Sequence, residues 1–308
     1  MISRREFLTR GVVVAAGAAV LSRTLRAEAS RGFSGLAESL AKLEKSCGGR
    51  LGVSVIDTAT GERAGYRADE RFPMCSTHKM LLAAAVLKRV DAGQEHLDRA
   101  IAVPAKALVH YSPVTGKHVG GTVSVAELCD AMLTLSDNTA ANLLLETIGG
   151  PQGYTRFARS IGDPVTRLDR IETALNEATP GDPRDTTTPA AMVQDMQKLL
   201  LGNVLSTDSR RQLLNWMMAN KTGDHSLRAG LPKDCRVGDK TGSNLSTTTN
   251  DIAIVFPAGS HASKDGLHGP PVVIITAYLT ECAGTEAKRD AVLADVGRLV
   301  TEAAGLRE

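Results

Sequence analysis

A chain of 308 residues with 43% hydrophobic content can build one or two packed units, which excludes low-complexity disorder. Aromatics make up only 3%, so a core must rest on Leu, Val, Ile, Ala and Met. A formal charge of +2, with no basic run interleaved with aromatics, excludes a nucleic-acid binder.

Ser3-Arg4-Arg5-Glu6-Phe7-Leu8 looks like a twin-arginine export signal, and an apolar stretch from Gly11 to Leu21 follows it. That stretch is too short to span a bilayer. Ala27-Glu28-Ala29 supplies small residues for cleavage, so residues 1–29 are expected to leave the mature protein. The expected product is periplasmic or secreted, monomeric and without a stable membrane anchor; its precursor meets the twin-arginine export machinery. The leader carries five Arg and two Glu, formally +3, so the mature chain drops from +2 to −1.

Leu36, Leu40 and Leu43 recur at helical spacing until Gly48-Gly49. Leu51, Val53 and Val55 alternate as a half-buried strand, and a second short strand is expected after the Ala59-Thr60-Gly61 turn. Ser76 opens an apolar helix to about Asp91, after an irregular approach through Phe72-Pro73-Met74-Cys75. Ser124 with Glu127 reads as a capping box, and Thr139 to Ile148 is helical until Gly149-Gly150. Residues 163–185 are polar and irregular, long enough for a functional loop. Thr188-Pro189 opens another helix, and Ser206 or Thr207 opens the one that holds Trp216. Strand patterns follow at Arg236–Thr241, Asp251–Phe256 and Val272–Leu279, and a last amphipathic helix starts near Thr285.

Strands at both ends and helices between them predict an α/β chain of the α+β type. Residues 30–70 and 218–308 are expected to form one antiparallel sheet under terminal helices. Residues 71–217, including the loop, form an all-helical unit beside it. A cleft between the two units is a natural small-molecule site.

Ser-x-x-Lys occurs twice. Ser39/Lys42 sits off the Leu stripe of the first helix and reads as a solvated face. Ser76/Lys79 opens a helix, where Ser and Lys three apart share a face and backbone N–H groups can hold an oxyanion. A buried Lys of lowered pKa can take the proton of a Ser nucleophile. Lys-Thr-Gly also occurs twice. Lys221-Thr222-Gly223 reads as an ordinary helix end, whereas Lys240-Thr241-Gly242-Ser243 follows a strand-like run that can present an edge to a ligand. Ser136-Asp137-Asn138 lies between two helices.

Ser76-x-x-Lys79, Ser136-Asp137-Asn138 and Lys240-Thr241-Gly242, in that order, resemble the penicillin-recognising serine enzymes. Glu172-Thr173-Ala174-Leu175-Asn176, inside the long loop, is similar to the deacylation site of class A serine β-lactamases. The resemblance covers essentially the whole mature chain and implies a five-stranded sheet. It implies that Ser76 attacks a β-lactam carbonyl, with the backbone N–H groups of Ser76 and Ser243 as oxyanion hole. Lys79, or Glu172 through a water, takes the Ser76 proton. Ser136, near Lys79 and Lys240, relays a proton to the lactam nitrogen. Glu172 and Asn176 activate the hydrolytic water. Asn138 binds the acylamide side chain, and Lys240, Thr241, Gly242 and Ser243 receive the carboxylate. Tyr111 lines the cleft, or is a partly buried loop tyrosine. Arg170 and Asp185 clamp the loop, and the Glu172–Thr173 bond is cis.

The chain departs from the pattern in places. The carboxylate-binding Arg of many relatives is absent after Thr247, where Thr248-Thr249-Asn250 stands; Lys288 and Arg289 are the candidates to replace it. His78 stands where relatives often carry Phe, and packing is its expected role. Cys75 precedes the nucleophile as in members with carbapenem activity, but Asn244 occupies the position of their second Cys, so that activity is not supported. A cell-wall carboxypeptidase and a non-hydrolysing β-lactam sensor share the first three motifs, and Glu172 and Asn176 disfavour both. No metal or organic cofactor is expected, since the seven His form no HxH or HExxH and the five Cys no CxxC. In the implied fold the first and last strands adjoin, so a Cys47–Cys282 bridge and five free thiols both stand open.

Overall fold

The computed structural model describes residues 32–259 and 272–306, so the expected export leader lies outside the described residues. Helix α1 (Leu36–Cys47) ends at Gly48, whose left-handed φ of 72° lets its N–H return to the Glu44 carbonyl. Strands β1 (Arg50–Asp57), β2 (Arg63–Tyr66) and β3 (Phe72–Pro73) follow. A 3-10 turn, Cys75–Thr77, then leads into α2 (His78–Asp91). The helical unit continues through β4 (Ala100–Ala102), β5 (Thr122–Ser124), α3 (Val125–Thr134), α4 (Asn138–Thr147) and α5 (Gly150–Ser160). After the long loop come β6 (Thr186–Thr187), α6 (Pro189–Met196) and α7 (Thr207–Met218). Strands β7 (Arg236–Ser243), β8 (Thr249–Phe256) and β9 (Val273–Thr280) precede α8 (Glu286–Ala304).

The expected caps are present. Ser124 and Glu127 close a reciprocal box on α3, and Thr188, Ser206 and Thr285 cap α6, α7 and α8. Helix α5 is an addition to the sequence reading, which ended at Gly149-Gly150. Both glycines are left-handed (φ 89° and 68°), so the pair stops one helix and launches the next, with Pro151 in its first turn.

The antiparallel sheet runs β2-β1-β9-β8-β7, with Arg50 opposite Thr280 and Ser243 opposite Thr249. Its two faces bury different cores. Leu51, Val53, Val55, Ala253, Val255, Ile275 and Ala277 pack under α1 and α8 with Leu40, Leu293 and Val296. Ile56, Ile252, Ile254, Ile274 and Tyr278 face the helical unit with Phe72, Met80 and Met192. β1 is therefore buried on both faces rather than half-buried, because the apolar stripe Leu51–Val55 accounts for only one of them.

All five cysteines are free thiols. Cys47 and Cys282 are nonetheless neighbours, with the Cys282 thiol donating to the Cys47 carbonyl at 3.6 Å.

Candidate active site

Three segments converge on the N-terminus of α2. The approach to it is a strand, not irregular chain: β3 pairs with β6, and Met74 N–H donates to the Asp185 carbonyl at 3.0 Å. The nucleophile's approach is thereby tied to the end of the long loop. On the other side β7 comes close, and Gly242 is the residue that permits it. A Cβ at Gly242 would lie 2.9 Å from the Ser76 backbone nitrogen, inside van der Waals contact. Cys75 (φ 44°), Tyr111 (φ 61°), Ser136 (φ 60°) and Asp185 (φ 58°) all take left-handed backbone, at about 1–3 kcal/mol each. Strain of this kind gathers where side chains must be aimed.

Lys79 is fully buried and is the hub. Its Nζ donates to Ser76 Oγ at 3.0 Å, the Ser136 carbonyl at 2.9 Å, Ser136 Oγ at 3.3 Å and Asn138 Oδ1 at 2.6 Å. It also lies 3.1 Å from Glu172 Oε1. Lys240, equally buried, donates to Ser136 Oγ at 3.2 Å, so one hydroxyl bridges two lysines. Burial pushes the Lys240 ammonium down to about 7, and the charge of Lys79 adds to the shift. Burial also draws Lys79 down, against the pull of Glu172.

Glu172 is equally enclosed. Ser76 Oγ donates to its Oε1 at 3.5 Å, and Asn176 Nδ2 donates to Oε2 at 2.6 Å. Burial alone would raise this carboxyl, but Lys79 and His78 outweigh burial and hold it well below the usual carboxylate range. The other amide atom of Asn176, Oδ1, is a buried acceptor with no protein partner, able to accept a hydrogen bond from a water. Asn142 on α4 fixes the glutamate's backbone from both sides, accepting from Glu172 N–H at 2.9 Å and donating to its carbonyl at 2.8 Å. The Glu172–Thr173 peptide is cis, as the resemblance implied. At the loop's neck, Arg170 Nε donates to Asp185 Oδ2 at 2.6 Å, and Asp185 Oδ1 takes the N–H groups of Asp169 and Arg170 at 2.7 and 3.0 Å.

These groups open on a cavity of about 400 Å³ lined by Ser76, Tyr111, Ser136, Asn138, Asn176, Thr241, Gly242 and Ser243. Tyr111 is 52% exposed at the rim, an exposed cleft residue rather than a partly buried one. Asn138 presents Nδ2, which also donates to the His110 carbonyl at 2.9 Å. Asp137 turns inward and accepts from Ala140, Val114 and Thr115 N–H groups, each at 2.9 Å, which holds the Tyr111 loop against α4.

The sequence reading missed two contributors. Thr222, set aside with the second Lys-Thr-Gly, lines the cavity and hydrogen-bonds Thr241. The repeated motif was itself the signal. Asn142 went unremarked, although it follows Asn138 by four residues on one helical face. Neither candidate for the missing arginine reaches the cavity. Arg289 is fully buried, donating to the Ser246 and Gly284 carbonyls and to Thr249 Oγ1, and Lys288 is not among the lining residues. Glu286 and Asp290, from the same turn of α8, line it instead. Among the described residues no group of three His, Cys, Asp or Glu could hold a metal.

A family model for the β-lactamase enzyme family matches residues 35–303. The chain belongs to that family. The structure resembles an ancestral class A β-lactamase at 63% identity and a TM-score of 0.82, covering 87% of this chain and 99% of that one. It also resembles a β-lactamase from Xanthomonas campestris at 50% identity and a TM-score of 0.83, covering 88% and 97%. Among curated relatives, β-lactamase CTX-M-8 of Citrobacter amalonaticus is 48% identical over 86% of this chain and 88% of its own. β-lactamase L2 of Stenotrophomonas maltophilia is 45% identical over 99% and 100%. Class A β-lactamase thus describes both fold and family. Of the four groups, Ser76, Ser136, Asn138, Asn176, Thr241 and Gly242 of this class A chain line one cavity, and Lys79, Glu172 and Lys240 lie buried behind them.

Proposed function

We propose that the protein hydrolyses β-lactam antibiotics through an acyl-enzyme on Ser76. The observation that carries this is the shared reach of one hydroxyl: Ser76 Oγ lies 3.0 Å from Lys79 Nζ and 3.5 Å from Glu172 Oε1. Ser76 attacks the lactam carbonyl, and its proton leaves toward Glu172, directly or through a water, or toward Lys79. The backbone N–H groups of Ser76 and Ser243 hold the oxyanion. Ser136, bridging Lys79 and Lys240, passes a proton to the departing lactam nitrogen. Water held between Glu172 and Asn176 Oδ1 then cleaves the ester. Lys240, Thr241 and Ser243 take the substrate carboxylate, and Asn138 the acylamide. The Ser3–Leu8 motif supports export by the twin-arginine route, so the reaction runs in the periplasm or outside the cell.

Nitrocefin turnover tests the reading. Many turnovers per protein molecule are expected. A single stoichiometric burst followed by silence would overturn it in favour of a peptidase or a sensor.

A further inference from the structure

We propose that His78 is a positioning residue for the hydrolytic step, its Nε2–H holding Oε1 of Glu172 while Asn176 holds Oε2. The sequence reading assigned this ring to packing. The structure gives it a second task. His78 is 1% exposed, and its Nε2 lies 3.4 Å from Glu172 Oε1. Its Nδ1 is buried with no hydrogen-bond partner, and its ring meets Tyr154 edge-on at 5.9 Å.

Those two nitrogens fix the tautomer. A proton on Nε2 is donated to an anion, and the bare Nδ1 is left as a buried acceptor without a partner. A proton on Nδ1 would leave a buried donor unpaired and turn the Nε2 lone pair toward a carboxylate, two costs at once. The doubly protonated ring is disfavoured too, because burial pulls His78 below its ordinary value although Glu172 pulls the other way. Lys79 on the same helix, Glu172 and Asp185 of the long loop, and the phenol of Tyr154 are the ionisable groups around it.

The consequence is geometric and electrostatic. Oε1 is shared by Lys79, Ser76 and His78, and two of these three donate through the whole reaction only if Lys79 keeps its proton. When Lys79 gives up a proton, the neutral imidazole still donates. Glu172 then stays ionised and aligned beside the ester. This inference rests on Glu172 being the hydrolytic base, so its test separates the two.

The variants are H78F, which keeps an aromatic ring of similar size beside Tyr154, H78Q, which restores an amide donor, and E172A. Pre-steady-state acylation by benzylpenicillin, followed by mass spectrometry of the Ser76 adduct, measures each half-reaction, and the burst amplitude counts folded sites. H78F is expected to slow deacylation by about ten- to a hundredfold, as loss of one hydrogen bond to a charged group implies. Its acid limb of kcat should move upward, because Glu172 loses a stabilising donor. H78Q should recover both. Unchanged deacylation and an unmoved acid limb in H78F, while E172A still traps the adduct, overturn the role of His78. Release of the adduct by E172A at the wild-type rate overturns Glu172 as the hydrolytic base, the assignment on which the role of His78 rests.

Discussion

Lys240 shows how much one residue's surroundings add to its identity. The Lys-Thr-Gly motif was legible in the sequence, but nothing in the motif reveals complete burial beside a second lysine. That burial and the charge of Lys79 bring its ammonium down to about 7. The group proposed to meet the substrate carboxylate therefore loses its charge in the free enzyme as pH rises through neutrality. A bound carboxylate restores the proton by its own charge, so the effect belongs to kcat/KM rather than kcat. We expect kcat/KM for benzylpenicillin to fall on the alkaline side from about pH 7, with kcat much flatter. Lys240→Arg, which stays charged throughout, should lose that limb even if its absolute activity is lower. An alkaline limb at the same pH in both proteins would show that another group controls it. The absent arginine sharpens the point. Arg289 is buried against the Ser246 carbonyl and Glu286 and Asp290 stand on the cavity wall, so the proposed carboxylate site leans on Lys240 behind Ser136 and Thr241.

The long loop is the element on which the proposed site depends, and its sequence disclosed the loop's candidate residues better than its shape. Glu172 and Asn176 stood out by spacing, whereas Asn142, the β3–β6 pair and the link from Met74 to Asp185 did not. Those contacts join residues tens of positions apart, and no local periodicity encodes them. The neck is an enclosed charge pair: Asp185 is 1% exposed and accepts three hydrogen bonds from residues 169 and 170. Asp185→Asn keeps the size but removes the charge and one acceptor, stranding the Arg170 guanidinium. Breaking a buried pair from one side costs about 3–5 kcal/mol. Arg170 is partly open and also meets Glu177, so the lower end of that range applies. The loop should loosen before the rest of the fold. Hydrogen exchange across 163–185 should rise while the sheet stays protected, and deacylation should slow more than acylation. Equal loss of protection throughout would mean that Asp185 serves global stability and not the loop.

At the scale of the whole molecule the two-sided sheet explains why α6 carries so many buried residues, and one of them is acidic. Asp195 is fully buried, neither of its oxygens accepts a hydrogen bond, and its one polar neighbour is the carboxyl of Asp163, to which it can donate only when protonated. It lines a small cavity of about 150 Å³ with Asp69 and Asp163. Burial first, and the neighbouring Asp163 second, push its carboxyl up to about 9, against the weaker opposing pull of Lys198 and Arg159. The sequence displayed Asp195 as an ordinary polar position of a capped helix, because only tertiary packing buries it. The folded chain therefore binds a proton there that the unfolded chain releases near pH 4. This contribution to stability is complete below about pH 4 and is lost progressively as pH rises toward about 9, on the order of 1 kcal/mol per pH unit. Asp195→Asn is neutral at every pH and close in shape, and its amide can donate to Asp163. Its stability should exceed that of the wild type increasingly from pH 5 to pH 9, with the two proteins converging toward acid. Urea denaturation midpoints at pH 5, 7 and 9 measure the divergence. Parallel curves for the two proteins would mean that Asp195 is ionised in the folded state and already paired. In that case the slope of stability with pH must come from the other buried carboxyls whose values lie high, Asp239 on the Lys240 strand and Asp251 on the strand beside it.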